Sequence, residues 1–172
     1  MTGTLVWFTG LSGSGKTTLA KALQKRLASK SVLLDGDELR KGVCNDLDFS
    51  FIDRRENMRR AGELSKLLVD QGFIVLASFI SPNNFDRQLI RGLINIKYIE
   101  VYCQCTLDVC IKRDVKGLYK LALENKIQSF TGISSPYDIP VNPEIIVDTE
   151  NYSINECADK IFNFMKRHNF YT

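Results

Sequence analysis

The chain has 172 residues, 44% of them apolar and 25% charged, which suits one domain with a full core and leaves little for a second. Its net charge of +3 is too small to announce a nucleic-acid partner, and no apolar run approaches the ~18 residues needed to span a bilayer. Five cysteines without a CxxC pair, and an N-terminus without a basic region ahead of an apolar stretch, predict reduced thiols in a cytoplasmic protein.

Strand and helix patterns alternate along the chain. Residues 4–9 are a short β-prone run ending at glycine, and from 17 to 29 Leu19, Ala22, Leu23 and Leu27 fall on one helical stripe. A second strand is predicted over 31–35. A helix is predicted from Asp53, with Glu56 three residues on and Gly72 at its end. Further strands are predicted over 73–80, 98–103 and 144–147, and Ser153 with Glu156 predicts the start of a last helix. Continuous apolar strands joined by helices imply an α/β fold: five parallel strands, helices on both faces, and ligands bound beyond the carboxyl ends of the strands. Nothing divides the chain, so 1–172 reads as one domain.

Gly10-Leu11-Ser12-Gly13-Ser14-Gly15-Lys16-Thr17 satisfies G-x-x-x-x-G-K-[ST] between a strand and a helix, the context this phosphate-binding loop requires. Its amides would cradle phosphates, Lys16 would reach the β/γ oxygens, and the Thr17 hydroxyl would join a Mg²⁺ shell. Asp114-Val-Lys-Gly117 matches the D-x-x-G of GTPases, but it follows no apolar strand and no N-K-x-D motif occurs, so it reads as chance. That leaves an ATP-dependent kinase of a small-molecule hydroxyl. Asp35-Gly36-Asp37 ends the second strand. There a carboxylate would hold a Mg²⁺ water or orient an acceptor hydroxyl, unless Asp37 merely caps the short helix it opens. Arg40 follows one turn later. Phe49 reads either as exposed at this edge or as core, Ser81 as a site residue or a turn residue before Pro82, and Arg54, Arg55, Arg59 and Arg60 as a site or a solvated helix face. The polar segment 113–120, with Arg113, Lys116 and Lys120, shows no clear periodicity and reads as a flexible cover within a lid over about 113–137.

In order, these segments resemble the adenylylsulfate (APS) kinase family over nearly the whole chain. The residues that carry the resemblance are 8–18, including Thr18, then 34–40, 46–50, 53–60, 78–82, 116–120, 130–133, 136–137 and 142–145. The resemblance implies transfer of the ATP γ-phosphate to the 3′-hydroxyl of adenosine 5′-phosphosulfate, giving PAPS, in a homodimer. It also implies roles: Asp37 at the acceptor hydroxyl; Arg40, Arg54 and Asn57 on the acceptor's phosphosulfate and ribose; Phe49 and Phe130 around its base. Ile80 and Ser81 would contact the acceptor, Lys116 would reach the phosphates from the lid, and Arg113 would cover the ATP adenine. The sequence departs from the family pattern at four places: Asp48, Asn84, Gln104-Cys105-Thr106, and Val115 within the lid. Relatives that phosphorylate cytidine diphosphoramidate for capsule decoration are the alternative these departures allow. Effector-binding domains that have lost the loop lysine are a third, which the presence of Lys16 opposes.

Overall fold

Every residue of β1 (Thr4–Thr9) is buried; Val6 and Phe8 face one layer of helices, Leu5 and Trp7 the other. The two-residue period of a strand thus feeds two cores from one segment. The structure is a computed structural model that describes residues 3–27, 30–94 and 97–171. After β1 come α1 (Lys16–Gln24), β2 (Ser31–Asp35), α2 (Gly36–Lys41), α3 (Phe51–Asp70), β3 (Ile74–Ser78) and α4 (Asn84–Ile94). Then follow β4 (Tyr98–Gln104), α5 (Leu107–Arg113), α6 (Leu118–Leu123), β5 (Ile145–Asp148) and α7 (Ile154–Arg167). The five strands form one parallel sheet in the order β2-β3-β1-β4-β5, as expected.

One face packs on α1 and α7 through Leu19, Leu23, Cys157, Ile161 and Met165; the other packs on α3 and α4 through Met58, Ala61 and Ile90. The strand order reverses around β1, so the loop after β1 opens at the crevice where such sheets bind ligands. The register places Asp35 beside Ser78, Ser78 beside Phe8, and Thr9 beside Tyr102, collecting the carboxyl ends of four strands at one edge.

Several predicted boundaries move. Ser50, not Asp53, caps α3: Ser50 Oγ accepts from the Asp53 N–H at 3.1 Å and donates to Asp53 Oδ2 at 2.7 Å. Glu56 instead accepts from Arg59 and Arg60, which hold its carboxyl down at about 2. Those two arginines belong to the solvated helix face. The last helix begins as predicted, with a reciprocal Ser153/Glu156 capping box. The first helix ends at Gln24, and residues 28–29 of the predicted stretch lie outside the described residues.

The 113–137 segment is not an aperiodic cover. It carries α6, and Tyr119, Ala122 and Phe130 join Cys105 and Cys110 in a third apolar cluster. Asp114 accepts from the backbone N–H groups of Tyr119 and Lys120, both at 3.0 Å, so it organises the start of α6 and has no switch-motif role. All five cysteines are buried free thiols. No helix among the described residues is long and apolar enough to cross a membrane.

Candidate active site

The phosphate loop is shaped by two glycines that nothing else replaces. A Cβ on Gly10 would lie 2.7 Å from the Cys103 carbonyl oxygen, and Gly15, at φ +84°, is the left-handed N-cap of α1. The next residue, Lys16, is 8% exposed and donates to the carbonyls of Gly10 at 2.9 Å and Leu11 at 2.7 Å. Burial pushes its ammonium down to about 8. Two neutral carbonyls compensate a buried cation poorly, so the loop favours an anion at this point. Thr17 Oγ1 donates to Asp35 Oδ2 at 2.6 Å and lies 2.9 Å from Ser78 Oγ, which gathers three hard oxygens at the start of α1.

Asp35 is also the N-cap of α2, since its Oδ1 accepts from the Asp37 N–H at 2.9 Å. The reading in which Asp37 caps that helix is therefore corrected. Asp37 sits in the first turn with an exposed carboxylate that pairs with Lys116 Nζ of the lid. The lid is fastened at its base as well. Arg113 donates to the carbonyls of Thr149 at 2.7 Å and Gly13 at 3.3 Å, and Tyr119 Oη donates to the Ser12 carbonyl at 2.9 Å.

Across the crevice, Phe49 is 58% exposed, which excludes the core reading for it. The Arg40 guanidinium lies 4.3 Å from the centre of its ring while donating to the carbonyls of Leu47 and Asp48. Arg54 donates to the Phe49 and Ser129 carbonyls and to Thr131 Oγ1, tying α3 to the lid. Burial, and then the Arg40 cation, lower the Arg54 pKa, so both guanidinia gain from an anion between them. Asn57 is 6% exposed and its Oδ1 has no hydrogen-bond partner, a polar atom left open at the same edge. A pocket of about 180 Å³ lies here, with Phe49, Arg54, Met58, Pro82, Asp86 and Pro136 in its wall.

Two expected site residues are placed differently. The Phe130 ring is buried edge-on against Tyr119, with ring centres 5.0 Å apart; its neighbours Ser129 and Thr131, rather than its ring, line the pocket. Ser81 is a strained turn residue at φ 42°, and its hydroxyl is used internally: it accepts from Trp7 Nε1 at 3.1 Å and donates to Thr9 Oγ1 at 2.9 Å. The Ile80 carbonyl accepts from that same Thr9 hydroxyl at 2.8 Å. Sequence reasoning missed Ser78, whose signal was its place at the end of β3. It also missed Asp86 and Arg87, which follow the Ser81-Pro82 turn on a helix that had not been predicted. Arg87 is fully buried on Glu100, at 2.9 Å, and donates to the carbonyls of Ser81 and Asp138, both at 2.6 Å.

A parallel sheet with a lysine-bearing phosphate loop at its switch point, facing an arginine- and aromatic-lined pocket under a basic lid, defines a P-loop kinase. The comparisons narrow this class. The adenylylsulphate kinase family model matches residues 2–148. A probable adenylyl-sulfate kinase of Halalkalibacterium halodurans is 50% identical over 165 residues, covering 94% of this chain and 82% of that protein. The adenylyl-sulfate kinase of Oceanobacillus iheyensis is 51% identical over 166 residues, covering 94% and 83%. Among solved structures, the Mycobacterium tuberculosis APS kinase in complex with AMPPNP and APS has a TM-score of 0.92 at 42% identity, covering 96% of this chain and 98% of that one. The chain belongs to the adenylylsulfate kinase family, and it is an ATP-dependent phosphotransferase.

Proposed function

We propose that this chain transfers the γ-phosphoryl group of ATP to the 3′-hydroxyl of adenosine 5′-phosphosulfate, producing PAPS and ADP. The observation that carries the reading is the ion pair between Lys116 and Asp37, which joins the lid to a carboxylate two residues after Asp35, the acceptor of the Thr17 hydroxyl. The curated relatives and the structure solved with AMPPNP and APS support the same donor and acceptor.

Phosphoryl transfer spreads charge over the equatorial oxygens, so positioning and electrostatics supply most of the acceleration. In this reading the amides of Gly10 to Thr18 hold the β- and γ-phosphates, and Lys16 leaves its two carbonyl partners for the phosphate oxygens. Arg113, at the lid edge beside the Gly13 carbonyl, covers the donor base. Lys116 exchanges Asp37 for the transferring phosphate. That frees the Asp37 carboxylate to orient the 3′-hydroxyl or accept its proton. Arg40, Arg54 and Asn57 hold the acceptor's anionic end, and Phe49 stacks on its base, a contact worth roughly 1–3 kcal/mol by analogy with single-strand binding. Ile80 and Ser81 contribute backbone to the wall between the two substrates.

Thr17 Oγ1, Asp35 Oδ2 and Ser78 Oγ, clustered within 2.6 and 2.9 Å contacts, fit the preference of Mg²⁺ for hard oxygens with several waters retained. When bound, Mg²⁺ would neutralise charge on the β- and γ-oxygens. The five buried free thiols fit a reducing, cytoplasmic setting.

The test is ADP release from Mg·ATP with adenosine 5′-phosphosulfate, with the 3′-phosphorylated product identified by mass. One ADP per PAPS is expected. ADP release that ignores the acceptor, or none at all, would overturn the reading.

A further inference from the structure

The pocket that holds Phe49 contains a carboxylate for which the roles above give no work. Asp86 lies in the first turn of α4, is 8% exposed, and shares the pocket wall with Phe49, Pro82 and Pro136. Among the described residues, the other polar groups of that wall are engaged apart from the Ser135 hydroxyl, which carries no charge. Ser129 and Thr131 accept from Arg54, Asp138 Oδ2 accepts from the Asn84 N–H at 3.0 Å, and Asn83 Oδ1 accepts from the Phe85 N–H at 2.8 Å. Asp86 accepts no hydrogen bond among the described residues. Its one ion pair, with Arg55 Nε at 3.4 Å, is loose, and the Arg55 guanidinium also lies 4.8 Å from the centre of the Phe85 ring. Asp86 is thus a hydrogen-bond acceptor with open lone pairs, beside an exposed aromatic face that binds any base without telling one from another. Burial raises its pKa, opposed by Arg55 and Arg87, so the carboxylate gains from a donor placed against it.

We propose that Asp86 is the specificity-determining residue of the base pocket, selecting acceptors with an exocyclic amine at the purine 6- or pyrimidine 4-position, as adenine and cytosine have, over those with a carbonyl at that position, as hypoxanthine and uracil have. This rests on the reading of the pocket as the acceptor's base site. An amine donates to the carboxylate. Facing the carboxylate, a carbonyl oxygen sets lone pairs against lone pairs; the N–H on the adjoining ring nitrogen reaches Asp86 only if the base shifts off its seat against Phe49, so discrimination comes from the position at which the donor is offered.

The experiment compares kcat/KM for adenosine 5′-phosphosulfate and inosine 5′-phosphosulfate, which differ only at the amine position and the adjoining ring nitrogen. The wild-type chain is expected to favour the adenosine compound by at least about 10²-fold. Asp86→Asn, whose amide presents either an oxygen or an NH₂, is expected to narrow that preference to within about tenfold, mainly by lowering the KM of the inosine compound. Because the readout is a ratio within one variant, a general loss of folded protein cancels. Arg55→Gln removes the ion pair but keeps the carboxylate, and should preserve the ratio. A wild-type ratio within about threefold, an unchanged ratio in Asp86→Asn, or collapse of the ratio in Arg55→Gln would each overturn the assignment. Turnover of neither acceptor would sink the proposed function and this inference with it.

Discussion

Lys16 shows how far one buried charge reports on function. Its ammonium is held at about 8 against an ordinary value of 10.5, so the folded protein penalises the charged form by an amount on the order of 3 kcal/mol. The sign is that of a depressed lysine: the penalty is fully present below about pH 8 and fades as pH rises toward 10.5. Phosphates relieve it by restoring the charge. ATP binding should therefore take up close to one proton at pH 9 and almost none at pH 6.5. Titration calorimetry in buffers of different ionisation enthalpy measures this, and equal uptake at the two pH values would contradict the assignment. The two phenylalanines that the family resemblance pairs should behave differently. Phe49→Ala is expected to raise the acceptor KM, by about tenfold for a stacking contact near 1.4 kcal/mol, with little change in Tm. Phe130→Ala empties the edge contact with Tyr119 and should cost roughly 3 kcal/mol of stability, the low end for a core phenylalanine because its cluster is small and can collapse. Calorimetric Tm beside steady-state kinetics separates the two outcomes.

At the scale of elements, the turn at Ser81 is held open from below. Arg87 of α4 bridges the β4 carboxylate Glu100 to the carbonyls of Ser81 and Asp138, and its guanidinium lies 5.7 Å from the centre of the Tyr137 ring at the end of the lid. Arg87→Met should cost about 3 kcal/mol, because it leaves the buried Glu100 carboxylate only the longer Arg91 contact at 3.3 Å and strands two carbonyls; pairing it with Glu100→Leu should recover part of that loss. A double variant no more stable than the single one in urea unfolding would refute this account. Elements of this kind explain what the sequence left hidden. The central strands were legible because burial on both faces writes them as unbroken apolar runs, and the phosphate loop because its glycines have no substitutes. α5 and α6 were not, since their helical faces are short and pack in a small cluster with Cys105, Leu11 and neighbouring lid residues, leaving too few periods to detect. α4 buries Asp86 and Arg87 while Phe85 and Leu89 stay exposed, so its charged residues sit where sequence patterning places apolar ones. Asp37 stayed ambiguous because an aspartate two residues away could cap the same helix, a choice only the Asp35 Oδ1 contact decides.

For the whole molecule, the phosphate loop, the 113–137 segment and the proposed acceptor pocket are linked by Arg113 and Tyr119 on the phosphate loop, Lys116 on Asp37, and Arg54 on Ser129 and Thr131. A ligand that satisfies Lys16 and the loop amides should therefore stabilise the chain as a unit. At a free concentration one hundred times its Kd, a nucleotide that binds only the folded state adds about 2.7 kcal/mol. For a protein of this length each kcal/mol moves Tm by about 2–4 °C, so non-hydrolysable ATP with Mg²⁺ should raise Tm by roughly 5–11 °C. Lys16→Ala should remove most of that shift and, as the loss of one transition-state donor, lower kcat by roughly 10²–10³-fold. Chelating the metal should reduce the shift in the wild-type chain but barely alter what remains in Thr17→Ala, because Thr17 Oγ1 belongs to the oxygen cluster proposed to carry Mg²⁺. A thermal shift of full size in Lys16→Ala would place the nucleotide elsewhere. A wild-type shift without acceptor-dependent ADP release would mark the chain as a nucleotide-binding module, and the presence of Lys16, Thr17 and Asp37 in one crevice argues for turnover instead.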